Sequence, residues 1–304
     1  MILNIPFTKT PRVSVIIPTH NRPELTLRAI QSVQKQTFSE LEVIVVDDGS
    51  TDHTWQSLLT VQQQDCRIIL AQQTGQGANP ARNRGVSHAK AAHVLFLDSD
   101  DELVPDAIEL LIARMPSDKI AVVCGGAETV DDQGHILDTR HPRNLGPSYE
   151  NQTGLFLAGT YLVCRDALIG CGGFDPECRA SQHKDLALRL VPHCVASGQQ
   201  ITSIHHVTVR VHAHPGNHLR SNLETLLAGC LHALRVHEHQ LKKSPRHHAI
   251  YCETAAIYAA KLRRFPIAQR LFRQAINSLP DKKSTYLRCL IAHVPLLRRA
   301  VWKP

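Results

Sequence analysis

The chain has 304 residues, of which 43% are hydrophobic and 20% charged; this excludes disordered, collagenous and low-complexity classes and leaves room for one large or two modest domains. The formal net charge of +7 is unevenly placed: residues 1–200 carry 17 Lys/Arg against 23 Asp/Glu, whereas residues 201–304 carry 17 against 4, together with 11 of the 19 histidines. No stretch reaches the ~18 consecutive apolar residues of a membrane-spanning helix, the N-terminus lacks the basic head and apolar core of a secretory signal, and nine irregularly spaced cysteines without Cys-x-x-Cys read as reduced thiols of a cytoplasmic protein.

Val13–Ile17 is a short β-rich apolar run ending at Pro18, and residues 23–36 show helical periodicity through Leu27, Ile30 and Val33. Leu41–Val46 is a second strand-like run, ending in Asp47-Asp48-Gly49-Ser50. A helix with Trp55, Leu58, Leu59 and Val61 follows, capped by Asp52. Residues 67–71 read as a third strand, 80–91 as a helix, and 94–97 as a fourth strand ending in Asp98-Ser99-Asp100-Asp101. A helix over 105–115 and a strand over 120–125 continue the alternation. Continuous apolar strands between amphipathic helices predict an open, mostly parallel α/β sheet covered on both faces. Polar residues cluster just after the C-terminal ends of the strands, where such sheets bind ligands.

From Leu223 the strand-like runs stop, and helices are predicted over about 223–240, 247–262, 266–279 and 285–302, punctuated by Pro245, Pro266 and Pro280. The expected division is a domain over 1–222 and a helical module over 223–304. The charge switch implies an anionic partner for the module, or a solvated basic helical surface.

Asp98 and Asp100 alternate at a strand end, so both carboxylates can face one hard cation of the Mn²⁺ or Mg²⁺ type, which neutralises a diphosphate leaving group. Asp-x-Asp alone also arises in loops and caps. Asp47-Asp48-Gly49-Ser50 alone is equally a turn and a cap. The combination with Thr19-His20-Asn21-Arg22 after the first strand puts three polar segments on one sheet edge.

These segments resemble glycosyltransferase family 2 with the GT-A fold. The resemblance rests on residues 13–23 (Val-Ser-Val-Ile-Ile-Pro-Thr-His-Asn-Arg-Pro), 45–52 (Val-Val-Asp-Asp-Gly-Ser-Thr-Asp), 81–85 (Ala-Arg-Asn-Arg-Gly), 96–101 (Phe-Leu-Asp-Ser-Asp-Asp), 172–175 (Gly-Gly-Phe-Asp) and 212–217 (His-Ala-His-Pro-Gly-Asn), and covers about residues 11–220. It implies inverting transfer of a sugar from a nucleotide-diphosphate donor, of uridine type by preference, to a glycan or lipid-linked acceptor. It places Pro18, Thr19, Asn21, Arg22, Asp47, Asp48, Arg82 and Asp98 at the donor, with Thr19 and Asp48 around the base and Asp98 near the ribose. Asp100 and His214 are implied metal ligands.

The family's catalytic base is the Asp of a Glu-Asp pair beyond Gly-Gly-Phe-Asp. This chain has Gln182-His183-Lys184-Asp185-Leu186, which sets His183 at the base position and Asp185 at the second Asp. Three readings follow: His183 serves as base, Asp185 takes the role after a local shift, or transfer is lost and the chain is a sugar-nucleotide-binding scaffold. A nucleotidyltransferase would open with a Gly-rich loop after its first strand, and Pro18-Thr19-His20-Asn21-Arg22 stands there instead.

Residues 249–282 match one tetratricopeptide-like hairpin through Ala268, Phe272, Ala275 and Pro280, or an ordinary helical hairpin. The segment 286–302 is basic and amphipathic and ends at Trp302, which suits either an anionic membrane surface at the cytoplasmic face or core packing. Aromatic stacking residues are too sparse for a nucleic-acid partner.

Overall fold

The computed structural model describes residues 10–117, 119–213, 222–294 and 298. They divide into two compact units, one of Met1–Leu145, Gln152–Pro176 and Arg189–His214, the other of Gly146–Asn151, Glu177–Leu188 and Pro215–Pro304.

The first unit begins with β1 (Val13–Thr19), α1 (Pro23–Gln34), β2 (Leu41–Asp47), α2 (Thr54–Gln64), β3 (Ile68–Gln72), α3 (Ala78–His88) and β4 (His93–Phe96). These four strands are parallel in the order β3-β2-β1-β4. β1 and β2 are buried at every position. Val13, Val15, Ile17, Val43 and Val45 share a core with Leu58 of α2 and with Ala29, Ile30 and Val33 of α1. Ile16 faces the other way, against α3: a Cβ on Gly85 would stand 2.4 Å from its Cγ2. Burial on both faces is why these strands read as unbroken apolar runs rather than alternating ones.

The chain continues through β5 (Glu102–Leu103), α4 (Ala107–Ile112), β6 (Ile120–Val130), β7 (Ile136–Arg140), β8 (Arg143–Asn144), a 3-10 turn at Pro147–Tyr149, β9 (Thr153–Gly154), β10 (Tyr161–Cys164), α5 (Arg165–Gly170), α6 (Gln182–Ala196) and β11 (Gln200–His212). The sheet extends from β4 as β10-β6-β11-β5, and β7 pairs with β6. β10 is antiparallel to both β4 and β6, while β6 and β11 are parallel. The whole is therefore a mixed sheet whose first half is parallel. The segment 131–154 contains β7, β8 and β9.

The second unit holds α7 (Leu223–Val236), α8 (Glu238–Lys242), α9 (Pro245–Lys261), α10 (Phe265–Ser278) and α11 (Lys283–His293). Asn222 caps α7 by accepting from the Thr225 N–H, and Ser244 caps α9 by accepting from that of His247. Ala255, Ala256, Ala259 and Ala260 of α9 meet Ala268, Leu271 and Phe272 of α10. Small side chains on α9 let α10 approach closely, and Phe272 is fully buried. The helical hairpin expected over 249–282 is thus α9–α10. No helix among the described residues is long and apolar enough to cross a membrane.

Candidate active site

Because β2, β1 and β4 are adjacent and parallel, their C-terminal ends open at one sheet edge. The register sets Thr19 beside Asp47 and Ile16 beside Phe96. The loop after β1 is tied to the loop after β2: the Asp48 N–H donates to Thr19 O at 2.8 Å, the Asn21 N–H to Ser50 Oγ at 2.9 Å, and the Thr51 N–H to Asn21 Oδ1 at 2.8 Å. Asn21 has φ +51°, a left-handed conformation that Asn tolerates. Gly49 has φ +77°, and a Cβ there would meet the backbone of Gly75 at 3.0 Å, so Asp-Asp-Gly-Ser needs its glycine.

Asp47 is fully buried and accepts from Ser50 N–H and Oγ–H and, at 3.1 Å, from Gln72 Nε2. Asp48 holds the turn before α3: Oδ1 accepts from Gln73 Nε2 at 2.7 Å and the Gln76 N–H at 2.8 Å, and Oδ2 from the Gly77 N–H at 2.7 Å. Pro18 and Thr19 are buried, and the Thr19 hydroxyl shares a 2.6 Å hydrogen bond with that of Thr26.

Arg82 of α3 is buried, with its Nη2 2.7 Å from Asp98 Oδ1, its Nη1 donating to Asn79 Oδ1 at 3.0 Å, and its guanidinium 5.2 Å from the Phe174 ring centre. Its neighbour Asn83 grips the Gly-Gly-Phe-Asp turn from both sides, accepting from the Phe174 N–H at 2.9 Å and donating to Phe174 O at 2.7 Å. Gly173, at φ +64°, has no room for a Cβ, which would lie 2.8 Å from Asn83 Oδ1.

One carboxylate oxygen from each of Asp98, Asp100 and Asp101 lies within 4.8 Å of the others. Arg22 Nη1 sits 2.8 Å from Asp100 Oδ2, and Arg28 Nη2 donates to the Asp100 carbonyl at 2.5 Å. Asp101 accepts from the His212 N–H at 3.1 Å, and His212 Nε2 is 2.7 Å from Glu102. Three hard oxygen donors on one turn suit a divalent cation of the Mg²⁺ or Mn²⁺ type, with the flanking guanidiniums suited to phosphate. The structure thus brings Thr19, Asn21, Arg22, Asp47, Asp48, Arg82, Asp98 and Asp100 onto one strand-end edge. His214 lies outside the described residues. His183 and Asp185 belong to the second unit; both are buried, and Asp185 Oδ1 accepts from His237 Nε2 at 2.6 Å. Asp185 is the fourth residue of α6, in its first turn.

Sequence reasoning missed Arg28, Gln72, Gln73 and Asn79, which brace the site. Gln72 and Gln73 carried a usable signal, since they follow the apolar core of β3 just as the acidic clusters follow β2 and β4. The partnership of Asp185 with His237 carried none, because 52 residues separate them.

This edge, with its acidic turn after β4, is a polar strand-end site on an α/β sheet of the kind that binds ligands, and comparison with known proteins gives its family. Residues 14–173 match the model of glycosyl transferase family 2, more than half of the chain, and the chain belongs to that family. Among curated proteins it is 43% identical over 106 residues to a Campylobacter jejuni GalNAc(5)-diNAcBac-PP-undecaprenol beta-1,3-glucosyltransferase, covering 34% of each chain. It is 28% identical over 144 residues to the Bacillus subtilis putative glycosyltransferase EpsH, covering 47% of this chain and 41% of EpsH. The chain thus spans only about a third to two-fifths of the length of these relatives. Its fold is similar to S. aureus TarS 1–349 in complex with UDP-GlcNAc, with TM-score 0.64 at 18% identity over 95% of this chain and 87% of the other. It is also similar to the Pyrobaculum calidifontis mannosyltransferase PcManGT in complex with GDP-Man and Mn²⁺, with TM-score 0.59 at 17% identity over 97% and 88%.

Proposed function

We propose that the chain transfers a sugar, with inversion, from a nucleotide-diphosphate donor to a glycan or lipid-linked acceptor, with Mn²⁺ or Mg²⁺ as cofactor. The observation that carries this reading is the Asp98–Asp100–Asp101 turn beside the Thr19 and Asp48 loops on one parallel-sheet edge of a family 2 chain. UDP-GlcNAc and GDP-Man in the similar structures support a nucleotide-sugar donor. The acceptor named for the Campylobacter relative supports a lipid-linked one.

In this reading Thr19 and Asp48 shape the base pocket, Asp48 by fixing the 73–77 turn. Arg82 orients the Asp98 carboxylate toward the ribose. Asp100, with His214, would hold the cation, which supplies charge neutralisation of the departing diphosphate. A cation taking Asp100 must compete with Arg22, which frees that guanidinium for a phosphate oxygen. His183 accepts the proton of the acceptor hydroxyl, a step typically worth ~10²–10⁴-fold. Asp185, engaged by His237, is the second candidate for that role. Residues 223–304 act as a helical module separable in role from the donor site. On α11, Tyr286, Leu287 and Leu290 are exposed beside a basic sequence, which supports contact with an anionic membrane at its cytoplasmic face.

Release of nucleoside diphosphate tests the reading. The full chain is incubated with UDP- and GDP-sugars in Mn²⁺, with and without undecaprenyl-pyrophosphate-linked oligosaccharide or polysaccharide acceptors. Acceptor-dependent release that disappears in Asp98→Ala and Asp100→Ala is expected. Donor binding without release under any acceptor would favour the scaffold reading, to which the Gln182-His183 pair in place of Glu-Asp gives its support.

A further inference from the structure

The second unit contains a group of potential metal ligands of which only Asp185 has another candidate role, as the alternative base; a metal on Asp185 leaves that role to His183. Cys178, Asp185 and His232 each present one ligand atom, and these lie within 4.8 Å of one another. All three side chains are buried, and so is His237, whose Nε2 donates to Asp185 Oδ1 at 2.6 Å. His232 Nε2 lies 3.7 Å from the same oxygen. Cys178 Sγ is 3.2 Å from Ala180 O.

The backbone is arranged for close approach at this point. Gly229 stands three residues before His232 on α7, and a Cβ there would lie 2.8 Å from the Cβ of Ala180. The glycine lets α7 press against the 178–181 segment and bring His232 to Cys178. Asp185 sits in the first turn of α6, directly after that segment. The ligands therefore come from a loop, the start of one helix and the middle of another.

The geometry points to a transition-metal site, of the zinc class, formed by Cys178, Asp185 and His232. A thiolate with an imidazole and a carboxylate is a donor set of Zn²⁺, and the soft thiolate sets it apart from the oxygen-rich sites of Mg²⁺ and Mn²⁺. In a tetrahedral site with Zn–N near 2.0 Å and Zn–S near 2.3 Å, ligand atoms stand about 3.5 Å apart, and His232 Nε2 and Asp185 Oδ1 are at 3.7 Å. The charge also balances. Loss of the Cys178 proton to solvent gives thiolate and carboxylate, which together neutralise a dication, so the buried site carries no net charge. His237 is the outer partner that orients the Asp185 carboxylate, and water takes the fourth position. A cavity of about 330 Å³ lined by Glu177, Arg179, Ala228, Leu231, His232 and Arg235 reaches the cluster at His232.

The test uses the full chain expressed with zinc and measured by elemental analysis after gel filtration, then reconstituted with Co²⁺ as a spectroscopic probe. About one zinc per chain is expected in the wild type and in Asp100→Ala, and its loss in Cys178→Ser and His232→Ala. Co²⁺ should give the intense visible bands of tetrahedral coordination and a near-ultraviolet thiolate charge-transfer band that is absent in Cys178→Ser. His237→Ala should keep that band while zinc affinity falls about 10–100-fold. A wild-type Co²⁺ form without the thiolate band overturns the site, even if the variants fail to fold. So does zinc that survives Cys178→Ser, or zinc that leaves with Asp100→Ala. Titration of UDP in Mn²⁺ on the same samples reports on the donor site separately.

Discussion

Replacing Arg82 by Ala removes a buried guanidinium with three attachments: the 2.7 Å ion pair to Asp98, the 3.0 Å hydrogen bond to Asn79, and the Phe174 ring at 5.2 Å. Hydrogen bonds to charged groups contribute about 1.5–3 kcal/mol each, and a cation over an aromatic face about 0.5–2 kcal/mol. The Asp98 side chain is 37% exposed, so water rehydrates its carboxylate once Arg82 is gone and lowers the loss. About 3 kcal/mol is expected, against a domain stability of about 5–15 kcal/mol, so the variant still folds. The assay is urea denaturation followed by tryptophan fluorescence in a Trp302→Phe background. Trp55, which packs partly buried on the core of the first unit, is then the only reporter. Arg82→Lys keeps the charge but cannot serve Asp98 and Asn79 together, and should lose about half as much. In a double-mutant cycle with Asp98→Asn the pair should couple by about 1–3 kcal/mol. A loss below about 1 kcal/mol in Arg82→Ala, or strict additivity with Asp98→Asn, would refute the view that Arg82 is the buried anchor of the Asp98 carboxylate.

Three other outcomes are expected. Glu253 on α9 is held below the ordinary carboxylate range: burial opposes its ionisation, but hydrogen bonds from Lys282 and Arg288 outweigh that cost. Its stabilisation is therefore complete above the ordinary pKa near 4.5 and lost as pH falls through the lower folded value; Glu253→Gln should cost about 1–3 kcal/mol at pH 7 and much less in acid, read by urea midpoints across pH. In the release assay, His183→Ala should lower turnover ~10²-fold or more while leaving donor affinity unchanged, and His183→Asp should retain activity; normal turnover in His183→Ala with a dead Asp185→Ala would move the base to Asp185. Burial pushes the thiols of Cys124, Cys194 and Cys252 up to about 12 and that of Cys230 to about 11, whereas Cys66 is exposed; a thiol reagent at pH 8 should therefore label Cys66 first, and Cys66→Ala should remove the fast phase.

Much of the donor half was legible because its signals are local. β1, β2 and β4 are buried on both faces and so appear as apolar runs, and the polar residues that end them form the candidate site. Of the later strands β6 was legible over 120–125, whereas β7, β10 and β11 were not, for identifiable reasons. β10 has only four residues and inserts antiparallel between β4 and β6. β7 is almost entirely exposed, with Ile136 and Leu137 both at 59%, so its sequence carries no burial pattern. β11 reads Gln-Ile-Thr-Ser-Ile-His-His before its apolar end, and its register with β6 shifts between Ser203 and Val207, which breaks any period of two. In the second unit the helices were visible from periodicity, whereas the meeting of Cys178, Asp185, His232 and His237 depends on tertiary packing alone.

Titration of UDP into the full chain, with Mn²⁺ and with EDTA, tests most directly whether the Asp98–Asp100 edge is a metal-assisted nucleotide-diphosphate site. Mn²⁺ should tighten binding to the wild type at least tenfold, about 1.4 kcal/mol, and Asp100→Ala should bind UDP equally weakly with and without the metal. UDP affinity that is the same in Mn²⁺ and EDTA for the wild type, or a metal effect that survives in Asp100→Ala, would contradict the account.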